Sequence, residues 1–333
     1  MSAIETENGF TLEAREKLAI AAFARIAQYD DAIQQWFAAK DNETFPENVA
    51  LRYQKKSKLR YGENPHQKAA FYVESPTIPD SLAGAEILHG KELSFNNILD
   101  LDSALNLVRE FDQPAVSVIK HNNPCGAAFG ENLPDVFEAA YNGDPLSAFG
   151  GILAFNREVG IETANRIASP NRFLECIIAP SYSDDALKIL RGWKKNLRLL
   201  SCGEIQKIDS GFDYRRVHGG MLIQERDVSN EHDVELEVVT DRSPTEEELA
   251  NLRFAWIVCK HVKSNAIVFA KEGAVVGVGA GQMSRVDSVQ IAARKSDARS
   301  EGAVLASDAF FPFRDTLQDA APGGHNAEMH TGG

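Results

Sequence analysis

Two residues that could move a proton and hold negative charge stand together at the end of an apolar run. The run over 115–119 is rich in valine and stops at Lys120 and His121. Its β-branched residues predict a strand buried in a sheet, Val116 to Ile119. Open α/β sheets bind ligands at the loop edge, where this strand would deliver the pair. A fixed cation beside a group that titrates near neutral pH suits proton transfer with developing negative charge, although an isolated Lys-His pair is more often a solvated strand end.

The order helix, strand, loop, helix, strand occurs twice along the chain. In the first part the predicted elements are a helix over 12–37 with a break near 29–31, a polar connector over 39–58, a helix over 104–110, the strand above, a short helix near 135–141 and a strand over 152–155. In the second part they are a helix through 258, strands over 266–270 and 274–278, a glycine-rich turn, a helix over 286–295 and a strand over 303–306. The second part opens with Ser243-Pro244-Thr245-Glu246, which predicts a capping box with proline at the first helical position. The repeat predicts two similar α/β/α layers with the charge-rich region 202–242 between them.

Two local patterns each allow a structural and a functional interpretation. The glycines at 277, 279 and 281 do not have the dinucleotide-binding spacing, and they predict a strand and turn that bring backbone close to a ligand or simply a tight turn. Arg285 follows near the start of the next helix, where an anion is favoured. The aromatic cluster at 310–313 is either a hydrophobic turn or a wall for a flat heterocycle.

Cys125 follows Pro124 close behind His121, which is similar to part of the zinc-deaminase signature. The signature's glutamate after the histidine and its second cysteine are both missing. No metal site is therefore predicted here.

Composition limits the class of protein. The chain has 333 residues, a formal charge of −13, 44% hydrophobic residues and four cysteines without tight spacing. These values predict a protein of the reducing cytoplasm with two linked α/β units, no transmembrane segment and no disulfide framework. The acidic balance argues against a nucleic-acid partner but permits a small anionic ligand held by local cations.

Seven further segments resemble one family in the same order. They are LRYGENPHQ at 59–67, HGKELSFNN at 89–97, DPLSAFGG at 144–151, IIAP at 177–180, KSNA at 263–266, GAGQMSR at 279–285 and SDAFFPFRD at 307–315. Together with the Lys-His segment they resemble the aminoimidazole-carboxamide ribonucleotide (AICAR) transformylase domain of the bifunctional purine-biosynthesis enzyme. The resemblance runs from about residue 10 to 321.

The resemblance implies an α/β fold of two tandem cytidine-deaminase-like α/β/α units with an N-terminal helical segment. The implied boundaries are 1–58 for the helical segment and connector, 59–201 for the first unit, 202–242 for the bridge and 243–333 for the second unit. The family's preceding cyclohydrolase domain is not in the sequence, and the C-terminal end after Ala321 departs from the family pattern and looks incomplete. We therefore expect no catalysed ring closure to inosine monophosphate.

The resemblance also implies formyl transfer from 10-formyltetrahydrofolate to the 5-amino group of AICAR. The implied catalytic residues are Lys120, His121 and Asn265. The implied ligand-binding residues are Arg60, Tyr61, Gly150, Glu175 and Arg285 for the nucleotide, with Phe310, Phe313 and Asp315 on the folate side.

The resemblance also predicts an oligomeric state and a bound ion. A homodimer with shared active sites is implied, and a potassium ion is another expectation, with Ser264 and Asp308 as its nearest candidates. Two alternatives stay open at this point: a non-catalytic nucleotide-binding homologue, and a deaminase-like hydrolase, which the missing glutamate and cysteine disfavour.

Overall fold

The computed structural model describes residues 10–38, 40, 43–229, 236–310 and 327–330. The chain divides into two compact units, Met1–Gln54 and Lys55–Gly333. In the first unit the helix α1 spans Leu12–Ala38, and the described residues of this helix include none that is buried. It runs through residues 29–31 without the predicted break, because none of Tyr29, Asp30 and Asp31 is a helix-breaking proline or glycine.

The second unit contains the remaining helices and strands. Its helices are α2 (Phe95–Val108), α3 (Leu133–Asn142), α4 (Pro145–Ala148), α5 (Ile161–Ile167), α6 (Asp184–Trp193), α7 (Glu246–Lys260) and α8 (Arg285–Ser296). Its strands are β1 (Gln54–Leu59), β2 (Ala69–Val73), β3 (Glu86–His89), β4 (Ala115–Lys120), β5 (Asn123–Phe129), β6 (Gly151–Phe155), β7 (Leu174–Ala179), β8 (Arg198–Ser201), β9 (Phe212–Val217), β10 (Gly220–Glu225), β11 (Ile267–Lys271), β12 (Ala274–Gly279), β13 (Val304–Ser307) and β14 (Ala327–Met329). None of the described helices is long and apolar enough to cross a bilayer.

Ten strands form one mixed sheet in the order β14-β13-β11-β12-β5-β4-β6-β7-β8-β3. The pairs β6–β7, β7–β8 and β13–β14 are parallel, and the other neighbours are antiparallel. β1–β2 and β9–β10 form separate two-stranded sheets. The predicted α/β fold with an N-terminal helix is confirmed, and both predicted layers contribute strands to one continuous sheet.

Helices cover both faces of this sheet because its strands alternate apolar side chains to either side. On one face α2 and α7 pack in one apolar cluster that includes Leu101, Leu105 and Phe254. On the other face α3, α5 and α6 cover the strands of the first part through Phe137 and Leu190, while α8 covers β11 and β12. The central strands are buried on both faces, which explains their near-continuous runs of valine, isoleucine and alanine.

The two parts of the sheet meet at β5 and β12. Within the described residues these strands share one Cα pair, Ala128 with Ala274. The Phe129 backbone N–H also donates to the Gly273 carbonyl oxygen at 3.0 Å, and the Phe129 ring lies 5.1 Å from that of Phe254 on α7. We call this junction of β5 with β12 the seam.

Three further differences between the local predictions and the structure concern the bounds of elements. α2 begins nine residues before the predicted start at 104, because Ser94 and Asn97 form a reciprocal capping box. α7 is capped by Thr245 with Glu248, not by Ser243 with Glu246, so it starts at Glu246. The predicted connector 39–58 also contains most of strand β1.

Candidate active site

Lys120 and His121 occupy a hairpin turn between β4 and β5. Lys120 is paired with Asn123 across the hairpin, so His121 and Asn122 are its two central residues. Their φ angles are 53° and 61°. Positive φ at both central positions is the pattern of a type I′ turn, which joins antiparallel strands without splaying them. The predicted loop after Lys120 is therefore a tight turn that exposes the His121 side chain at the sheet edge.

The ammonium of Lys120 has only neutral hydrogen-bond partners among the described residues. Its Nζ donates to the carbonyl oxygens of Gly150 at 2.8 Å and Phe149 at 3.2 Å. Among the described residues no carboxylate forms a salt bridge with it. Gly150 permits this contact: its φ is +71°, and an added Cβ would lie 3.0 Å from Nζ. The cation is thus held by neutral acceptors and remains free to stabilise negative charge on a ligand.

The carboxyl group of Asp100, a residue of α2, binds the backbone of the turn. Its Oδ1 accepts a hydrogen bond from the Asn122 backbone N–H at 2.7 Å. Burial raises the pKa of the Asp100 carboxyl, while hydrogen bonds from the amides of Asn122 and His121 and the nearby charges favour the carboxylate. Asp100 was not predicted, because its partner Asn122 lies 22 positions away.

Asn265, Arg285 and Asp308 form a second polar group. Arg285 at the start of α8 donates to Asn265 Oδ1 at 2.7 Å and to Asp308 Oδ1 at 2.5 Å. It also donates to Ser307 Oγ at 2.8 Å. These three bonds use three of the five guanidinium N–H donors and leave two for a ligand.

The bond from Arg285 fixes how the Asn265 amide points. Oδ1 is the acceptor, and Nδ2 donates to the Gln282 carbonyl oxygen at 2.8 Å. One N–H of Nδ2 therefore remains for a ligand. Burial opposes ionisation of Asp308, but hydrogen bonds from Ser264 and Arg285 outweigh it and lower the pKa of that carboxyl.

A hydrogen bond connects the two groups. Asn123 at the end of the turn accepts from the Lys263 backbone N–H at 2.9 Å through its Oδ1. Lys263 precedes Ser264 and Asn265, so the turn and the second polar group are held as neighbours. Sequence reasoning did not single out Asn123, although it lies only two residues after His121.

Glu175 lies at the start of β7 and is held by α2. Its Oε2 accepts from Asn97 Nδ2 at 3.0 Å and is 3.9 Å from the Arg198 guanidinium. Since β6, β7 and β8 are parallel and β4 is antiparallel to β6, the end of β4 and the starts of these three strands lie at one edge of the sheet. Lys120, Gly150 and Glu175 therefore share this edge.

The second polar group lies at the same edge. β11 begins there, and β13, which is antiparallel to it, ends there at Ser307. Phe310 follows shortly after and is 46% exposed. Phe313 and Asp315 lie outside the described residues. The described contacts of Arg60 and Tyr61 stay local, with the Arg60 guanidinium 5.6 Å from the Tyr61 ring, so nothing joins these two residues to the edge.

The glycines of β12 approach a helix, not a ligand. A Cβ on Gly279 would lie 1.9 Å from the Ser288 carbonyl oxygen, and one on Gly277 would lie 2.5 Å from that of Ala292. Both oxygens belong to α8. The close approach sets α8 against β12 and so places Arg285, its first residue, beside the ends of β11 and β13.

A partly buried ion pair also fixes α8. Lys295 near its end donates to Asp144 Oδ2 at 2.7 Å, across the seam. Asp144 caps α4, the short helix that leads to Gly150. This pair was not predicted, because its members lie 151 positions apart.

These contacts define an α/β protein whose sheet edge carries a free cation, an exposed imidazole, an oriented amide and a partly engaged guanidinium. Such groups can bind an anionic or carbonyl-bearing ligand and transfer a proton. The part of the chain that the structure describes holds no group of three or more His, Cys, Asp or Glu residues that could bind a metal ion.

Comparison with known proteins gives the family. Residues 1–295 match the family model described as the AICARFT/IMPCHase bienzyme. The chain therefore belongs to the AICARFT/IMPCHase bienzyme family, as the resemblance predicted.

Two relatives carry the name bifunctional purine biosynthesis protein PurH. The protein of Persephonella marina is 48% identical over 339 residues, which cover 100% of this chain and 65% of the relative. That of Anoxybacillus flavithermus is 50% identical over 323 residues, 97% of this chain and 62% of the relative. The chain thus spans slightly less than two thirds of the length of these relatives.

Proposed function

We propose that this chain catalyses formyl transfer from 10-formyltetrahydrofolate to the 5-amino group of AICAR. Membership of the family supports the class of reaction. The observation that carries the proposal is the Lys120 ammonium, which has neutral hydrogen-bond partners and stands beside His121.

The amine of AICAR is a poor nucleophile, because its lone pair is delocalised into the imidazole ring and toward the carboxamide. During transfer a bond forms between the amine nitrogen and the formyl carbon, and the bond from that carbon to folate N10 breaks. The amine must lose a proton, N10 must gain one, and an oxyanion develops between the two steps.

The residues of the edge suit these needs. His121 would take the amine proton, directly or through the carboxamide, because its imidazole is exposed at the turn and can act as a general base. Lys120 would stabilise the developing negative charge and pass a proton toward N10. Asn265 would donate its remaining Nδ2 hydrogen to the oxyanion or to the carboxamide oxygen.

The remaining candidates would bind the substrates. Glu175 suits ribose hydroxyl groups, because its carboxylate accepts hydrogen bonds and is held by Asn97. Arg285 would use its two remaining N–H donors on an anionic or carbonyl group. Gly150, Arg60 and Tyr61 complete the proposed nucleotide site. Phe310, Phe313 and Asp315 are the proposed folate side.

Potassium at Ser264 and Asp308 stays a prediction of the family resemblance. Asp308 Oδ1 already accepts from Arg285 and from the Ala266 backbone N–H, so an ion there would share this carboxylate with the guanidinium. The proposed mechanism has no step that uses this ion.

A homodimer is proposed on the strength of α1. Its large apolar residues are exposed around the helix, including Phe23 at 73% and Trp36 at 59%. Exposed apolar surface of this extent is typical of a protein interface. We place the protein in the cytoplasm, which agrees with four free cysteines.

The test combines the protein with AICAR and 10-formyltetrahydrofolate and measures tetrahydrofolate. We expect His121→Ala and Lys120→Ala each to lower turnover by roughly 10²–10⁴-fold. Because both residues act on one proton-transfer step, the double variant should lose less than the product of the single effects.

His218→Ala is the matched control, since His218 is an exposed histidine in the β9–β10 hairpin. It should keep wild-type turnover. Wild-type protein that binds both substrates and forms no tetrahydrofolate would instead support a non-catalytic nucleotide-binding homologue. Full turnover in both single variants would contradict the mechanism.

A further inference from the structure

We propose that Asp100 is a positioning residue that holds the Lys120–His121 turn in the geometry needed for proton transfer. This inference rests on the proposed function for its kinetic part. It begins from the backbone of the turn, where neither central residue is a glycine.

The turn needs support because of its φ angles. An L-residue with a side chain at positive φ is disfavoured, and histidine at φ 53° followed by asparagine at φ 61° places two such residues in succession. Hairpins of this type usually contain asparagine followed by glycine. Contacts from outside the turn must therefore favour this conformation.

Asp100 makes such a contact. Its Oδ1 accepts from the Asn122 backbone N–H at 2.7 Å. One side chain of α2 thus binds the backbone of the turn at its second central residue. Asp100 is carried by α2, whose Leu101 and Leu105 are buried, so the acceptor is fixed relative to the sheet.

The charge of the carboxylate acts in the same sense. The Lys120 ammonium favours the charged form of the Asp100 carboxyl. This attraction favours the arrangement in which the turn closes onto α2. His121 precedes Asn122, whose backbone is bound to Asp100. The position of the His121 imidazole therefore depends on the Asp100 contact, although Asp100 need not touch a substrate.

The experiment compares Asp100→Ala and Asp100→Asn with wild-type protein. Asp100→Ala removes the acceptor and should lower kcat about 10- to 100-fold, the effect expected when a catalytic group is displaced by about 1 Å. The KM for AICAR should change less than about 3-fold, because the contacts that bind the ground state and the transition state equally are retained. Asp100→Asn keeps an amide oxygen that can accept the Asn122 N–H, so it should recover most of the lost kcat.

Asp102→Ala is the matched control. Asp102 lies two residues further along α2, and its carboxylate accepts from Asn106 at 3.1 Å, within the helix. This variant loses an acidic residue from the same helix without touching the turn. Its kcat should stay within about 2-fold of wild type, since surface substitutions away from special contacts have small effects.

A second readout does not depend on activity. Amide hydrogen exchange at Asn122 should be at least about 10-fold faster in Asp100→Ala than in wild type, because its hydrogen-bond acceptor is gone. If wild-type protein transfers no formyl group, the proposed function fails while this exchange still tests the turn. Unchanged Asn122 exchange, or equal losses of kcat in the Asp100 and Asp102 variants, would overturn the proposal.

Discussion

Arg285→Ala should destabilise the protein more than an ordinary loss of a surface charge. The Arg285 side chain is 11% exposed and that of Asp308 is 21% exposed, so the pair is largely removed from water. The hydrogen bond from Arg285 to the Asp308 carboxylate contributes about 1.5–3 kcal/mol to stability. Each hydrogen bond from Arg285 to a neutral acceptor contributes about 0.5–1.5 kcal/mol. Removing one member of a buried pair typically costs about 3–5 kcal/mol. Because Asp308 keeps its Ser264 and Ala266 donors, we expect a loss of about 3 kcal/mol in the free energy of unfolding.

Urea denaturation of a double-mutant cycle measures this loss and its cause. If the unpaired Asp308 charge is the main penalty, Arg285→Ala combined with Asp308→Asn should be more stable than the sum of the single effects predicts, by about 1–2 kcal/mol. Lys188→Ala is the control, because Lys188 pairs with Asp185 where both side chains are mostly exposed. This variant should keep nearly the wild-type free energy of unfolding, because exposed ion pairs contribute little to stability.

Two results would refute this reasoning. One is a loss below about 1 kcal/mol for Arg285→Ala, which would match an exposed pair. The other is strict additivity in the double variant. Calorimetry with AICAR tests the ligand role separately: we expect binding weaker by about 1.5–3 kcal/mol. Unchanged affinity in a folded variant would remove Arg285 from the nucleotide site and leave it a structural residue.

Three further predictions concern packing, acid stability and thiols. Gly279→Ala should lower the free energy of unfolding in urea by about 3 kcal/mol, because the added Cβ would meet the α8 backbone. Gly192→Ala, at a helical position with open space around it, should raise the free energy of unfolding by about 0.5–1 kcal/mol. Equal effects of the two substitutions would contradict the packing argument. Burial opposes ionisation of Asp144, but its hydrogen bonds outweigh burial and lower its pKa, so its contribution is complete above the unfolded-state pKa of about 3.9 and is lost as pH falls through the folded-state pKa. Asp144→Asn should therefore lose less stability than wild type between about pH 5 and pH 2, and parallel curves would contradict this. Burial raises the pKa of Cys176 to about 12, so it should react with a thiol reagent only after unfolding; rapid labelling of folded protein would show the thiol to be accessible.

Much of the fold could be predicted because its signals are local. The strand over 116–119 and those near 266–270 and 274–278 are runs of apolar residues, and the structure places strands there with ends shifted by one or two residues. The hairpin at His121 was not predicted, since its turn has no glycine. The start of α7 was misplaced because Ser243 and Thr245 each precede a glutamate by three residues, and local sequence does not distinguish them.

The candidate site was predicted by residue type and family resemblance, but its connections were not. The sequence indicated Lys120, Asn265 and Arg285, yet it gave no reason to join Asp100 to the turn. Such contacts depend on how distant segments pack, which no local periodicity encodes. The glycines of β12 illustrate the same limit: their spacing predicted close approach, and the identity of the partner, α8, required the structure.

The narrow backbone pairing at the seam has a mechanical consequence. Lys120, Gly150 and Glu175 belong to one side of the junction, and Asn265 and Arg285 belong to the other. A ligand that contacts both sets of residues links the two parts of the sheet across the seam. Its binding free energy then opposes any opening of the junction as well as global unfolding. We therefore expect the bound ligand to slow amide hydrogen exchange most at residues flanking Ala128 and Ala274. The exchange rates of amides in the outer strands should change least.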